Sequence, residues 1–150
     1  MTANEAAIRK AYQVAEDRDV PGWVNCFTED GTFTDESINV TYRGPKELGR
    51  TVEIYATAFP DMHRDLHAFY VVGDTVVVEL ALQGTHKGPL ELPSGTFPPT
   101  GKRMNAPCCD VFQLRNGNAL LGMKGNVAGK EQSNNEQQAT FHLLPRLRAM

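Results

Sequence analysis

One long stretch organises this sequence: Met104-Asn105-Ala106-Pro107-Cys108-Cys109-Asp110-Val111-Phe112-Gln113-Leu114. It is mostly apolar, as expected for a buried strand, and it carries a single carboxylate, Asp110, near its middle. An ionised Asp beside Cys109, Val111 and Phe112 is disfavoured by desolvation unless it is paired, hydrogen-bonded or protonated. Such a carboxyl group is a candidate for acid or base chemistry at neutral pH. The alternative is a bend in the strand that lets Asp110 reach water.

Three further segments around this stretch are also typical of strands. Gly73-Asp74 lies between the first two segments and Asn116-Gly117 between the last two, and both dipeptides favour tight hairpin turns. The sequence therefore predicts a curved antiparallel sheet built from consecutive hairpins. The four predicted strands are residues 63–72, 75–86, 100–114 and 119–127.

Three predicted helices precede these strands. The first begins at a capping box that starts at Thr2, the second begins at Asp19, and the third runs from Gly44-Pro45 to a stop at Pro60. Helices followed by strands in one short chain predict an α+β fold with the helices against one face of the sheet. The apolar stripes that would face the sheet are Ile8, Ala11, Tyr12 and Ala15 in the first helix, Trp23, Val24 and Phe27 in the second, and Leu48, Val52, Tyr55 and Phe59 in the third.

Two segments are too rich in turn-forming residues to be regular strands. Glu29-Asp30-Gly31 is predicted to be a turn, followed by a small hairpin of residues 32–35 and 38–42. Residues 87–99 contain several prolines and glycines and are predicted to form a long loop or lid. An extended hairpin connection is the alternative for that second segment.

The size and composition indicate one small domain. The chain has 150 residues, and 41% of them are hydrophobic. We place the domain at residues 1–129 and expect the polar residues 130–150 to be a flexible tail. The net charge is −3 and the basic residues are scattered, so neither nucleic acid nor an anionic membrane is an expected partner.

The cysteines indicate a reducing compartment. Cys26, Cys108 and Cys109 are odd in number, and the adjacent pair would point to opposite faces of one strand, so no disulfide framework is expected. Their spacing relative to the histidines matches no zinc pattern. No apolar run approaches about 20 residues or resembles a signal sequence. These features predict a cytoplasmic protein.

Three residues besides Asp110 are candidates for chemistry. His86 has the same strand parity as the apolar positions before it, so His86 and Asp110 would converge on the concave face as an acid/base pair. The alternative is that Gly84 interrupts the alternation and leaves His86 on the surface. Asp35 ends a short strand and is either a second acid/base group or a solvated carboxylate. Tyr12 lies on the apolar stripe of the first helix, either as a core aromatic or as a functional hydroxyl.

A second set of polar residues, His63, Asp65 and His67, alternates along one predicted strand. The three side chains would share a face, as the ligands of a metal can. An amphipathic strand with a polar outer face gives the same pattern and is the favoured interpretation. No metal is therefore predicted.

Several short motifs occur in a recognisable order: Phe27-Thr28-Glu29-Asp30-Gly31-Thr32-Phe33, Phe59-Pro60-Asp61-Met62-His63, Gly84-Thr85-His86-Lys87-Gly88, Pro99-Thr100-Gly101-Lys102, Cys109-Asp110-Val111-Phe112 and Asn116-Gly117. With them, residues 4–128 resemble the SnoaL-like polyketide cyclases of the nuclear transport factor 2-like superfamily. The resemblance implies a cone of curved sheet around three helices, a pocket at the wide end and a homodimer. It also implies that Asp110 is the general base of an intramolecular aldol closure, with His86 beside the substrate and no metal or cofactor.

The sequence also resembles ketosteroid isomerase, a member of the same superfamily. In that comparison Tyr12 and a protonated Asp110 match the oxyanion-binding pair, and Asp35 matches the base. A site of the limonene epoxide hydrolase type is excluded in its usual form, because it pairs the strand Asp with an Arg two residues earlier, where this chain has Cys108. Residues 120–126 lack the Trp that many SnoaL-like proteins carry there.

The sequence thus predicts a cofactor-independent acid/base enzyme for an apolar carbonyl compound, of the polyketide cyclase type. Ketosteroid isomerase-like proton transfer and a non-catalytic protein that binds a small molecule are the alternatives. A homodimer is predicted through the outer face of the sheet, at Val77, Cys109 and Val111. The predicted catalytic residues are Asp110, His86, Asp35 and Tyr12, and the predicted pocket residues are Trp23, Phe27, Tyr55, Phe59 and Phe112.

Overall fold

A computed structural model describes residues 1–126, so the predicted domain boundary at residue 129 and the polar tail of residues 130–150 lie outside the described part. The three predicted helices are confirmed. The capping position of the first is also confirmed, because the Thr2 side chain accepts a hydrogen bond from the backbone N of Glu5. Asp19 caps the second helix in the same way, through the backbone N of Gly22. The helices are α1 (Ala3–Glu16), α2 (Val20–Asn25) and α3 (Gly44–Ala58).

A six-stranded sheet curves around these helices in the order β2-β1-β8-β7-β4-β3, and a separate two-stranded ribbon pairs β5 with β6. The α+β architecture predicted from the sequence is therefore confirmed. The strands are β1 (Phe27–Asp35), β2 (Val40–Arg43), β3 (His63–Val72), β4 (Thr75–Thr85), β5 (Leu90–Leu92), β6 (Gly95–Phe97), β7 (Arg103–Arg115) and β8 (Asn118–Asn126).

The sheet is antiparallel except where β1 pairs with β8, which run parallel. The expectation of a wholly antiparallel sheet was wrong at this pair. Hairpin turns fix the direction of strands that follow each other in the chain, but β1 and β8 are joined by most of the domain and are free of that constraint. The pairing brings the end of β1, at Asp35, beside β8.

Irregularities in strand pairing decide which side chains face the helices. Leu120 is an extra residue in β8, because Leu114 pairs with Ala119 and Gln113 already pairs with Leu121. A single extra residue reverses which face the following side chains point to. In β8, the side chains after Leu120 therefore point to the opposite face of the sheet from the face that an uninterrupted hairpin would give them.

The predicted turn at Glu29-Asp30-Gly31 was wrong, because these residues lie inside β1. The pairing of β1 with β8 shifts register between Phe27 and Thr32, so the turn-forming residues mark a bulge in a continuous strand rather than its beginning. Phe27 is likewise the first residue of β1 and not part of α2. Its ring is buried against Trp23 all the same.

The predicted lid is partly regular. Its residues 90–92 and 95–97 form the ribbon of β5 and β6, as the hairpin alternative proposed. Leu90 is buried, and the backbone N atoms of Lys87 and Gly88 donate to the carbonyl of Ala58 at 3.0 and 3.2 Å. The ribbon is therefore fastened to the end of α3. In residues 1–126, no helix is long and apolar enough to cross a membrane.

Candidate active site

Three charged residues form a row across the inner face of the sheet. Lys124 on β8 lies opposite Asp110 on β7 and opposite Asp35 on β1. Their exposed fractions are 5%, 4% and 1%, respectively. Neighbouring strands lie about 4.8 Å apart, so the backbone positions of the two aspartates are separated by about 10 Å, with that of the lysine between them. We call these residues the charged row.

Asp35 is held at both carboxylate oxygens. Its Oδ2 accepts from the Tyr55 hydroxyl at 2.7 Å and from Lys124 Nζ at 3.3 Å. Its Oδ1 accepts from the backbone N and the hydroxyl of Ser37. Lys124 Nζ also lies 3.3 Å from the Tyr55 hydroxyl and 4.8 Å from the centre of the Tyr55 ring. Asp35 and Lys124 thus form a buried ion pair supported by neutral hydrogen bonds.

The electrostatics keep both members of this ion pair charged. Burial by itself would raise the pKa of Asp35, but Lys124 and the hydrogen bonds from Ser37 and Tyr55 lower it below its ordinary value. Burial would likewise lower the pKa of Lys124, yet the neighbouring Tyr55 and Asp35 raise it well above the ordinary value for lysine. Asp35 is therefore an anion with saturated oxygens, which is a poor acceptor for a further proton.

Asp110 differs from Asp35 in having one oxygen available. The Tyr12 hydroxyl donates to Asp110 Oδ2 at 2.8 Å. Asp110 Oδ1 is buried and has no hydrogen-bond partner among residues 1–126. Burial raises the pKa of Asp110 to about 6, and the hydrogen bond from Tyr12 and the charge of Lys124 only partly oppose this rise. The pKa is raised, as the sequence predicted, and the group is mostly ionised at pH 7.

The predicted pairing of His86 with Asp110 was wrong. His86 is fully buried, as its parity predicted, but it follows the end of β4, eight residues beyond Val78, the partner of Asp110. Eight strand residues span about 26 Å. The His86 ring packs on Phe59, and its Nδ1 lies 3.1 Å from the Thr100 hydroxyl. Parity specifies the face of a sheet and leaves the position along the strand open.

A cleft opens where the end of α1, the end of α3 and the start of β3 meet. Its total space is about 280 Å³ including the open mouth, and the enclosed part has room for about one water molecule. Tyr55 connects the cleft to the charged row, and Arg64 connects it to Tyr12, because the guanidinium carbon of Arg64 lies 5.6 Å from the centre of the Tyr12 ring. The lining residues are Ala15, Glu16, Arg18, Val52, Tyr55, Ala56, Phe59, Pro60, Met62 and Arg64.

The five aromatic residues predicted for the pocket divide into two groups. Tyr55 and Phe59 line the cleft. Trp23 and Phe27 instead pack edge to face with ring centres 4.9 Å apart, and Phe112 contacts the Tyr12 ring at 5.9 Å. These three form the aromatic core beside the charged row, because sequence spacing identifies an inward face without separating a filled interior from an open one.

His63, Asp65 and His67 are exposed on β3, in agreement with a polar outer face. His63 approaches Glu16 at 3.4 Å and His67 approaches Asp65 at 3.1 Å, in two separate contacts. In the described residues no group of three or more His, Cys, Asp or Glu side chains is placed to hold a metal ion. No disulfide joins Cys26, Cys108 and Cys109.

Lys124 and Tyr55 were not predicted to take part in a charged network. An unbroken hairpin around Asn116-Gly117 would place Met123, not Lys124, opposite Asp110, and the extra residue Leu120 reverses this. A lone lysine in an otherwise apolar strand is the signal that was present in the sequence. This lysine indicates a buried charge only if a bulge turns its side chain to the inner face, since lysine otherwise lies on exposed faces.

A curved sheet around three helices is the fold of the nuclear transport factor 2-like proteins. A family model for the SnoaL-like domain matches residues 8–120, and the chain belongs to that family. No curated protein sequence matches the chain.

Solved structures confirm the fold. A proposed SnoaL-like polyketide cyclase from Jannaschia sp. CCS1 is 20% identical and superposes with a TM-score of 0.73 over 83% of this chain and 85% of its own. A protein with a ketosteroid isomerase-like fold from Catenulispora acidiphila, crystallised with trimethylamine, is 16% identical, with a TM-score of 0.68 over 91% and 92%. IdmH from Streptomyces antibioticus, a proposed polyketide cyclase, is 16% identical, with a TM-score of 0.69 over 93% and 98%.

The Asp35–Lys124 ion pair gives a first testable prediction. Lys124→Met leaves Asp35 buried without its cation, and we expect it to lower the free energy of unfolding by about 3–5 kcal/mol, as for other broken buried pairs. The double variant Lys124→Met/Asp35→Asn removes both charges and should recover a large part of that loss. Urea denaturation of the two single variants and the double variant measures the coupling. Strictly additive losses would contradict a buried ion pair.

Proposed function

We propose that this protein catalyses cofactor-independent proton transfer on a small, mainly apolar carbonyl compound, with Asp110 as the general base. The observation that supports this most directly is the unpartnered Oδ1 of Asp110, because its Oδ2 is already fixed by Tyr12. A pKa of about 6 gives a base that is ionised at pH 7 and still basic enough to accept a proton. Removing the proton next to a carbonyl produces the enolate that begins an aldol ring closure of the polyketide cyclase type.

Tyr12 has a positioning role in this proposal. Its hydroxyl donates to Asp110 and fixes the carboxylate orientation, while burial and the Asp110 charge raise the pKa of Tyr12 well above its ordinary value. The hydroxyl therefore keeps its proton and stays a donor. A ring-sized substrate reaches Asp110 only if side chains of the cleft move, because the enclosed part holds about one water molecule.

The isomerase alternative assigns the base to Asp35 and requires a protonated Asp110. The hydrogen bonding favours the reverse assignment. In the described part of the chain, Ser37, Tyr55 and Lys124 donate to the Asp35 carboxylate, and Tyr12 donates to Asp110. A purely binding protein would need no base with a free oxygen in a buried position. His86 has no role in the proposed step, because it lies at the far end of β4 from Asp110.

Proton exchange tests the proposal without knowledge of the natural substrate. Neutral aryl ketones and β-keto esters are incubated in D₂O with the protein, and loss of the α-proton signal is followed by NMR. We expect exchange above the buffer rate, and we expect Asp110→Asn to reduce the enzymatic rate by about 10²–10⁴-fold, the usual contribution of a general base. The rate should rise with pH, reach half its maximum near pH 6 and level off about one pH unit above that, because the base must be ionised.

Asp35→Asn is the matched control, because it changes the other carboxylate of the charged row by the same single-group substitution. We expect it to keep most of the exchange rate once folding of each variant has been checked by circular dichroism. A larger loss in Asp35→Asn than in Asp110→Asn would assign the base to Asp35, as in the isomerase alternative. Full exchange in Asp110→Asn would contradict the proposal.

We further propose that the protein is a homodimer in a reducing compartment and that the outer face of the sheet forms the interface. Tyr70, Val77, Val111 and Met123 lie side by side across β3, β4, β7 and β8 on that face. Tyr70 is 51% exposed. Val77, Val111 and Met123 are partly exposed, and a second copy of the chain that covered this row of apolar side chains would remove it from water.

Light scattering at micromolar concentration tests the dimer. We expect a mass of about 33 kDa, twice the 16.6 kDa of the chain. Val111→Glu places a charge in the middle of the row and should give the single-chain mass. Thr96→Glu on the exposed part of β6 is the control and should leave the dimer intact. A wild-type protein with the single-chain mass would contradict this interface.

A further inference from the structure

Two buried polar atoms near Tyr12 lack a hydrogen-bond partner among residues 1–126. One is the acceptor Oδ1 of Asp110, and the other is the donor Nη1 of Arg64. Leaving such an atom unsatisfied costs about 1–3 kcal/mol, so an orphaned donor and an orphaned acceptor beside the same tyrosine require an explanation. Proton transfer to Asp110 uses the acceptor but gives no role to the arginine.

Arg64 stands between the cleft and the Tyr12–Asp110 pair. It lines the cleft, and its guanidinium lies over the Tyr12 ring. Its backbone N donates to Glu16 Oε1 at 2.6 Å, which ties the start of β3 to the end of α1. In the described part of the chain its guanidinium forms no salt bridge within 4.0 Å, although its charge lowers the pKa of Asp110.

The charges around the cleft favour an anionic ligand. The lining contains two arginines, Arg64 and Arg18, and one carboxylate, Glu16. Glu16 is already used by the backbone N of Arg64 and by His63, and Arg18 donates to the carbonyl of Pro60. A guanidinium with a buried, unused N–H binds the anionic oxygen of a carboxylate or enolate more strongly than it binds a neutral carbonyl or ester oxygen, because the hydrogen bond to the anion is charge-assisted.

We infer that Arg64 anchors the substrate and that the substrate carries an anionic oxygen, a carboxylate or an enolate, within a few bonds of its reacting carbonyl. This inference rests on the proposed function of Asp110. The anionic oxygen of the substrate accepts a hydrogen bond from Arg64. Asp110 Oδ1 takes the proton from the carbon next to the reacting carbonyl. The C–H electron pair stays on the substrate as an enolate, and the same proton is available for return. Arg64 compensates the charge of the substrate beside the carboxylate of Asp110.

Binding of a matched acid and ester tests the inference. The probes are 4-oxo-4-phenylbutanoate and its neutral methyl ester, with affinities measured by calorimetry at pH 7. We expect the acid to bind about ten- to a hundred-fold more tightly than the ester, as a charge-assisted hydrogen bond provides. In Arg64→Met the acid should lose this advantage while the ester keeps its affinity, a change that a merely structural role of Arg64 would not produce. Arg64→Lys, which keeps the charge but not the fork of donors, should retain part of it.

Arg9→Met is the matched control, because Arg9 also stacks on an aromatic ring, that of Phe69, but lies away from the cleft. It should keep the full preference for the acid. A cyclic 1,3-dione that is ionised as its enolate distinguishes the two anion types: tight binding of the dione alone assigns an enolate, and tight binding of the acid alone assigns a carboxylate. The inference would be overturned if neither the acid nor the ionised dione bound more tightly than the neutral ester, or if the preference for the bound anion were unchanged in Arg64→Met.

The two proposals fail separately in these experiments. Proton exchange uses neutral ketones and reports on Asp110, whereas calorimetry reports on Arg64 without any turnover. If the preference for the acid depends on Arg64 but no proton exchange is seen, the role of Arg64 is supported and the role of Asp110 as general base is contradicted. Proton exchange that depends on Asp110, with no preference for the acid, would do the reverse.

Discussion

The buried ion pair between Asp35 and Lys124 is the interaction on which the interior of this protein depends. Two charges in an apolar interior are tolerated only when they face each other and their remaining hydrogen bonds are made, and Tyr55 and Ser37 provide those bonds. Because Lys124 neutralises the charge of Asp35 and both carboxylate oxygens are hydrogen-bonded, Asp35 is a poor proton acceptor. The division of labour between the two carboxylates of the charged row follows from this single contact.

The same arrangement leaves Asp110 as the reactive member. Within residues 1–126 its carboxylate receives one hydrogen bond, from Tyr12, and the cation beside it is already paired with Asp35. Burial therefore dominates its pKa and raises it to about 6. Two aspartates on neighbouring parts of one sheet thus differ in basicity because their surroundings differ, which is how one fold provides a permanent anion and a titratable base.

Much of this architecture could be predicted from the sequence. The errors concern features that depend on strand register or on residues far apart in the chain. Periodicity predicted the helices, the long strands and the inward position of Asp110, and the resemblance brought Tyr12 and Asp110 together. The charged row could not be predicted, because Lys124 reaches the inner face only through the extra residue Leu120. The parallel pairing of β1 with β8 had no local signal either. His86 was assigned to the correct face and to the correct end of its strand, but its predicted proximity to Asp110 was wrong, since parity contains no information on distance along the sheet.

The central claim is that Asp110 is a buried base with a raised pKa, and titration of its carboxyl carbon by NMR tests it most directly. The signal is assigned by its absence in Asp110→Asn and followed between pH 3 and pH 8. The structure predicts a midpoint of about 6, with the Asp35 signal titrating below its ordinary value in the same spectra. An Asp110 midpoint near the ordinary value of about 3.9 would mean a solvated carboxylate and would contradict the account.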